Sequence, residues 1–222
     1  LLSTSKGPLE MNIDKRASGR RKTPLLPEKL RSRLYPVVLD LFSRKDFHQV
    51  NMREICRLSG LSLSTVYKYF PSKEALLFTI LDQKISEIGV LMKTHLEGLE
   101  STKEIFRKVF WVTMDYYDKN PGVAITAFIT VPMRSWMREA SYRREDAFEI
   151  MTRATKHGHE RKEIDPALSH RQIMALYYMF CHRQIQLWYF HGRKWKLVDT
   201  VPRFFNLFWK SVSAAIPTPP AS

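Results

Sequence analysis

Cysteine, acidic side chains, glycine and long apolar runs are all scarce in this sequence, and each scarcity closes off a class of protein. The only two cysteines among 222 residues, Cys56 and Cys181, fall in separate predicted helices, so they suit neither a disulfide framework nor a paired metal site. Both are expected as buried thiols in a reducing cytoplasm. No apolar run approaches the roughly 18 to 20 residues that cross a bilayer, and the first residues hold no compact apolar segment of the signal-peptide type. A soluble, cytoplasmic protein with no membrane partner is therefore expected. None of the eight glycines belongs to a phosphate-cradling loop, and there is no Ser-His-Asp order or strong zinc spacing. The chain is thus read as a protein that is not an enzyme and needs no cofactor or metal. The run His157-Gly158-His159-Glu160 is read as a polar loop. Acidic residues number 22 against 36 Lys and Arg, a formal charge of +14, which attracts a polyanion. The excess is denser toward the start: residues 1–81 hold 15 basic and 7 acidic side chains (+8), and residues 82–222 hold 21 and 15 (+6).

What is present centres on residues 51–77, NMREICRLSGLSLSTVYKYFPSKEALL. Asn51, with Glu54 three residues on, has the form of a helix start resembling a capping box. Ile55 and Leu58 share a face with Cys56 beside them, and Gly60 stands where positive φ ends the helix. Ser62 offers a second cap, Val66 and Phe70 form an inner face, and Thr65, Lys68 and Tyr69 face outward or nearly so. Pro71 stops that helix and Ser72-Lys73-Glu74-Ala75 opens a third. Two short helices joined by a glycine turn make a helix-turn-helix, whose second helix is of the kind that enters a DNA major groove.

The run GLSLSTVYKYFPSKEALL resembles the signature of the TetR family of bacterial transcription regulators, and the likeness covers about fifty residues, Glu28 to Leu77. It implies an all-α protein: a three-helix DNA-binding domain at 28–75, then a larger helical effector-binding and dimerisation domain at 76–222. Carried over from the family, Tyr67, Tyr69 and Lys73 are expected to contact phosphates, as phenol hydroxyls and a cation at a helix start can. Ser62, Ser64, Thr65 and Lys68 are expected near base edges. Leu63 departs from the polar residue common at its position, Pro36 from a helix-friendly one and Asp46 from glycine. Arg53 and Arg57 are either further backbone contacts or a solvated basic face.

Residues 1–27 are polar and include Lys15-Arg16 and Arg20-Arg21-Lys22, so they read as a mobile basic arm, either reaching DNA or simply solvated. From Glu28 to about Arg44 apolar residues recur every three or four, predicting a helix that kinks at Pro36 or effectively begins near Tyr35. Further helices are predicted from Ser72 to about Leu96, Thr102 to Lys119, Met133 to about Lys156, His170 to about His191 and Val198 to Ala215. A break is predicted at Asn120-Pro121-Gly122, and a short apolar segment runs from Val123 to Val131.

The last two helices carry more apolar surface than one small bundle buries. The resemblance implies that they pair with a second copy as a four-helix bundle, giving a homodimer whose two readers face successive major grooves of a near-palindromic double-stranded operator. Phe110, Met114, Tyr117, Phe128, Met133, Trp136, Met137, Tyr177 and Phe180 either line a cavity for a small hydrophobic effector or are core. The function implied is a repressor released from its operator by that effector. Alternatives are a ligand-independent DNA-binding factor of the same fold and a helical small-molecule binding protein.

Overall fold

A computed structural model describes residues 26–138 and 145–214, with side chains from 137 to 148 outside the description. The described chain is helical throughout: α1 Glu28–Arg44, α2 Met52–Ser59, α3 Leu63–Tyr69, α4 Lys73–Leu96, α5 Thr102–Lys119, α6 Pro121–Ile125, α7 Met133–Arg138, α8 Glu145–Glu160, α9 His170–Phe190 and α10 Val201–Val212. A π-helical turn, Thr126–Thr130, follows α6, and a 3₁₀ turn, Leu197–Thr200, precedes α10. The predicted basic arm lies, up to residue 25, outside the described residues, as do residues 215–222.

Local chemistry places most boundaries. Side-chain oxygens of Asn51, Ser62, Ser72, Ser101 and Ser169 each accept a backbone N–H three residues on, at the starts of α2, α3, α4, α5 and α9. Ser169 and Gln172 form a full reciprocal capping box. At α2 the box is only half made, because the Glu54 carboxylate turns to the Lys45 ammonium at 2.7 Å. An opposite charge on the neighbouring loop competes successfully for it.

Several expectations change. α1 runs unbroken from Glu28 through Pro36; the ring points to solvent while Leu34, Tyr35, Val38, Leu41 and Phe42 are buried on both sides of it. Tertiary burial on either side offsets the lost hydrogen bond. Leu58 is 46% exposed, and the buried face of α2 is Met52, Ile55, Cys56 and Ser59. Pro121 opens α6 as its first residue, where a missing N–H costs nothing. Of the predicted helix from Met133 to Lys156 the described residues form α7 and α8, with 139–144 outside the description, and the final helix ends at Val212 with Ser213 in a bridge to Ile164. α8 also absorbs His157–Glu160, so that run is helix rather than loop. The His157 Nε2 lies 2.7 Å from the Glu100 carbonyl. Gly158 is required there by close approach, since a Cβ would fall 2.5 Å from Ile164 Cδ1 and 2.7 Å from Thr102 Cγ2.

Helices α1 to α3 with the start of α4 form the N-terminal unit, and the rest builds a body around α5. α4 runs out of that unit and packs along α5 and α8, while α10 packs on α5 and α9. In the body's centre the Phe110 ring meets Tyr177, Phe204, Phe205 and Phe208 at centroid distances of 4.8 to 5.9 Å. Such edge-to-face pairs add about 0.5–1.5 kcal/mol each beyond burial. The body meets the N-terminal unit through α6 and the π turn, which pack on α1.

Candidate nucleic-acid interface

The helix-turn-helix is held from outside the motif as much as from within. Gly60 adopts φ 64° and ψ 28°, ending α2 with a left-handed residue as its position predicts. Its carbonyl accepts a 2.7 Å hydrogen bond from the Arg33 guanidinium of α1. Sequence reasoning missed Arg33, because nothing local links residues 27 positions apart. Cys56, buried in α2, has its thiol pKa pushed up by desolvation, so it stays neutral packing.

On α3, Val66 is buried and Phe70 closes the inner face behind it. Tyr67, 50% exposed, and Lys68 point outward, with Ser62, Leu63 and Ser64 also exposed and Thr65 half-buried. The three hydroxyls form a cluster: Ser62 Oγ lies 2.9 Å from Ser64 Oγ and 2.7 Å from Thr65 Oγ1, and accepts the Thr65 N–H at 3.1 Å. Ser62 is thus committed to the cap, while Ser64 and Thr65 present oriented hydroxyls at the helix start. The Lys68 ammonium lies 5.8 Å from the half-buried Tyr69 ring. These side chains form one exposed face able to donate to phosphate and to base-edge acceptors.

Lys73 is placed differently from its neighbours. Its ammonium donates to the carbonyls of Phe47 and Val50, each at 2.9 Å, and stands 4.9 Å from the Phe47 ring. Two of its three donors thus tie the start of α4 to the loop between α1 and α2, leaving one for an outside anion. Arg53 and Arg57 are exposed on α2.

The nine residues named for the effector cavity do not share one environment. Phe110, Met114, Tyr117 and Tyr177 are buried and packed; the Tyr177 hydroxyl lies 2.6 Å from Thr113 Oγ1, and burial drives its pKa well up. Phe128 packs on Tyr117 at 5.4 Å, Phe180 on Phe204 at 6.3 Å and Trp136 on Phe78 at 4.8 Å. Met133 is 65% exposed, and the side chain of Met137 lies outside the described residues. Three surface clefts are lined by other residues. One of about 850 Å³ runs beside Trp111 between α5 and α10, one of about 490 Å³ lies between α1 and α4, and one of about 610 Å³ follows the end of α9. The first two are bounded by residues of different elements, which periodicity along one helix does not bring together.

An all-helical body behind an N-terminal helix-turn-helix, with a polar and aromatic outer face on its second helix, defines a class of DNA-reading regulators. Residues 39–80 match the family described as bacterial regulatory proteins, tetR family. Over 104 residues the chain is 31% identical to the HTH-type transcriptional regulator RutR of Escherichia coli strain K12, covering 46% of this chain and 48% of that protein. It is 26% identical over 87 residues to UidR of the same strain, covering 39% and 44%. The chain thus spans about half the length of the curated relatives it matches. Two solved structures share the fold over most of its length. The fatty acid degradation regulator FadR of Bacillus halodurans superposes with a TM-score of 0.74 at 14% identity, covering 83% of this chain and 96% of that one. FadR of Bacillus subtilis, in complex with stearoyl-CoA, gives 0.72 at 16% identity, covering 80% and 96%. The chain is thus similar to TetR-family regulators in sequence over residues 39–80 and in fold over most of its described length.

Proposed function

We propose that this protein is a sequence-specific, double-stranded-DNA-binding transcription regulator, a homodimeric repressor released from its operator by a small hydrophobic effector, acting by binding and not by catalysis. The observation that carries the reading is the α3 face, with Ser64, Thr65, Tyr67 and Lys68 displayed outward on a helix held by Val66 and by the Arg33-braced turn. Thr65 and Lys68 read base edges, whereas Tyr67 and the remaining donor of Lys73 hold phosphates. Apolar side chains left outward on α9 and α10, Met179, Phe190 and Leu207, support pairing with a second copy. An effector acts only if it prefers one separation of the two readers over another, since equal affinity shifts nothing. Because a relative of the same fold is complexed with stearoyl-CoA, long-chain acyl-CoAs belong in the first effector panel.

The test is selection of bound duplexes from a random pool at near-physiological salt. Enrichment of a near-palindrome with half-sites about 34–36 Å apart is expected. Enrichment of nothing would overturn the reading. Release of the enriched duplex by one member of a panel of acyl-CoAs and other apolar acids would identify the effector. Release by none would favour the second reading, a ligand-independent factor, for which the closely packed ring cluster about Phe110 speaks.

A further inference from the structure

The loop joining α9 to α10, His191-Gly192-Arg193-Lys194-Trp195-Lys196, is rich in cations. Arg183, Arg193, Lys194 and Lys196 are all exposed, and none has an ion-pair or hydrogen-bond partner for its side chain among the described residues. The segment 183–198 contains no acidic residue. A helix C-terminus attracts cations, but its dipole is worth about half a charge and cannot account for four. The loop is nevertheless built rather than loose. The Arg193 N–H donates to the Trp188 carbonyl at 2.8 Å, and Trp188 Nε1 donates to the Trp195 carbonyl at 3.0 Å. Gly192 and Arg193 take consecutive left-handed conformations, φ 70° and 59°, to make that turn. The turn therefore has a defined backbone on which Arg193, Lys194 and Lys196 are displayed.

Its position in the fold is the second observation. The N–H groups of Leu197 and Val198, just after the loop, donate to the two carboxylate oxygens of Asp118 at 2.8 and 2.9 Å, at the very end of α5. There the chain turns into α6, where Gly122 approaches the Leu39 backbone of α1, its Cβ position 3.7 Å from that carbonyl. The loop therefore lies at the end of the body that carries the reader unit. α9 passes the π turn at His182, whose ring stands 5.5 Å from that of Phe128, and continues eight residues, about 12 Å, beyond it.

We infer that Arg193, Lys194 and Lys196 form a second, sequence-independent DNA-binding site, which engages phosphates of the operator between the two half-sites. The inference rests on the dimeric regulator proposed above: two copies bring two such loops to the same end of the assembly, and a polyanion relieves their mutual repulsion. Duplex DNA is the polyanion already brought to that end by α3.

The test compares wild-type protein with the triple variant Arg193→Gln, Lys194→Gln, Lys196→Gln on the selected operator. Duplexes are made either fully charged or with neutral methylphosphonates between the half-sites, and dissociation constants are measured across a salt series. The three side chains have no partner among the described residues, so the variant should fold; matching circular dichroism and melting temperature check this. The expected result is an unchanged base preference with a salt slope shallower by about 0.9 for each phosphate no longer neutralised, and an affinity loss on the order of tenfold near physiological salt. Neutralising the central phosphates should weaken the wild type and leave the variant unaffected. Equal slopes for the two proteins on both duplexes would overturn the inference. So would a shift of the difference to anionic phosphatidylglycerol vesicles, which would assign the loop to a membrane surface. If selection enriched no duplex, the regulator reading itself would fail, an outcome distinct from equal slopes on a real operator.

Discussion

At Lys73, proposed above to hold a phosphate with its remaining donor, one ammonium serves three inward neighbours, two carbonyls and an aromatic face. Hydrogen bonds from a charged donor contribute about 1.5–3 kcal/mol each, so Lys73→Ala should lower the unfolding free energy by roughly 2 kcal/mol or more as well as weaken DNA binding. Urea unfolding followed by circular dichroism checks the first effect; an unchanged midpoint would show the tie to be superficial. Tyr67 has no such inward role, so Tyr67→Phe should reduce affinity for all duplexes alike, by a fewfold, with stability intact. Thr65→Ala or Lys68→Ala should instead change which bases are preferred, at about 1–3 kcal/mol of discrimination for a bidentate pairing and less for a single hydroxyl. Competition binding against single-base operator variants separates the two behaviours.

Between elements, the most informative link joins the end of α8 to the start of α5. Burial pushes the Glu163 carboxyl pKa up, but the Arg161 Nε donor at 2.8 Å and the Thr102 N–H at 2.9 Å outweigh it and leave the group below its ordinary value. A carboxylate with a lowered folded pKa adds stability above the unfolded value and loses it as pH falls through the folded one. Acid unfolding should therefore show a component below about pH 4 that is absent from Glu163→Gln, whose stability at pH 7 should already be reduced. Identical pH profiles for the two proteins would remove Glu163 from the account. A second link, from the Tyr116 hydroxyl to Glu87 at 2.8 Å, joins α5 to α4; burial first, then this carboxylate, raises the phenol pKa, so the hydroxyl stays protonated and donates. It couples the body directly to the helix that begins in the reader unit.

For the whole molecule, the outward apolar side chains of α9 and α10 decide the expected assembly. Phe190 is 81% exposed, and Met179 and Leu207 more than half. Met179→Glu with Leu207→Glu should convert a dimer to a monomer in sedimentation equilibrium and weaken operator binding far more than binding to a single half-site, because the second reader is lost. A double variant that sedimented as wild type would place the interface elsewhere.

The reader was legible because its determinants are local: a cap, a glycine, a second cap and a proline, each acting on its own neighbours in the chain, placed α2, α3 and the start of α4 correctly from Asn51, Gly60, Ser62 and Ser72. Helix periodicity likewise located α1, α4, α5, α9 and most of α10. What only the tertiary structure decided are the partners across sequence distance. Pro36 stays helical because burial on both sides outweighs one bond, Glu54 leaves its cap for Lys45, and Lys73 turns inward to Phe47 and Val50. Arg33 braces a turn 27 residues away, and a loop of cations meets the end of α5 through Asp118. A sequence states each residue's own preference, whereas the energy that selects among competing partners depends on which groups the fold brings within a few ångströms.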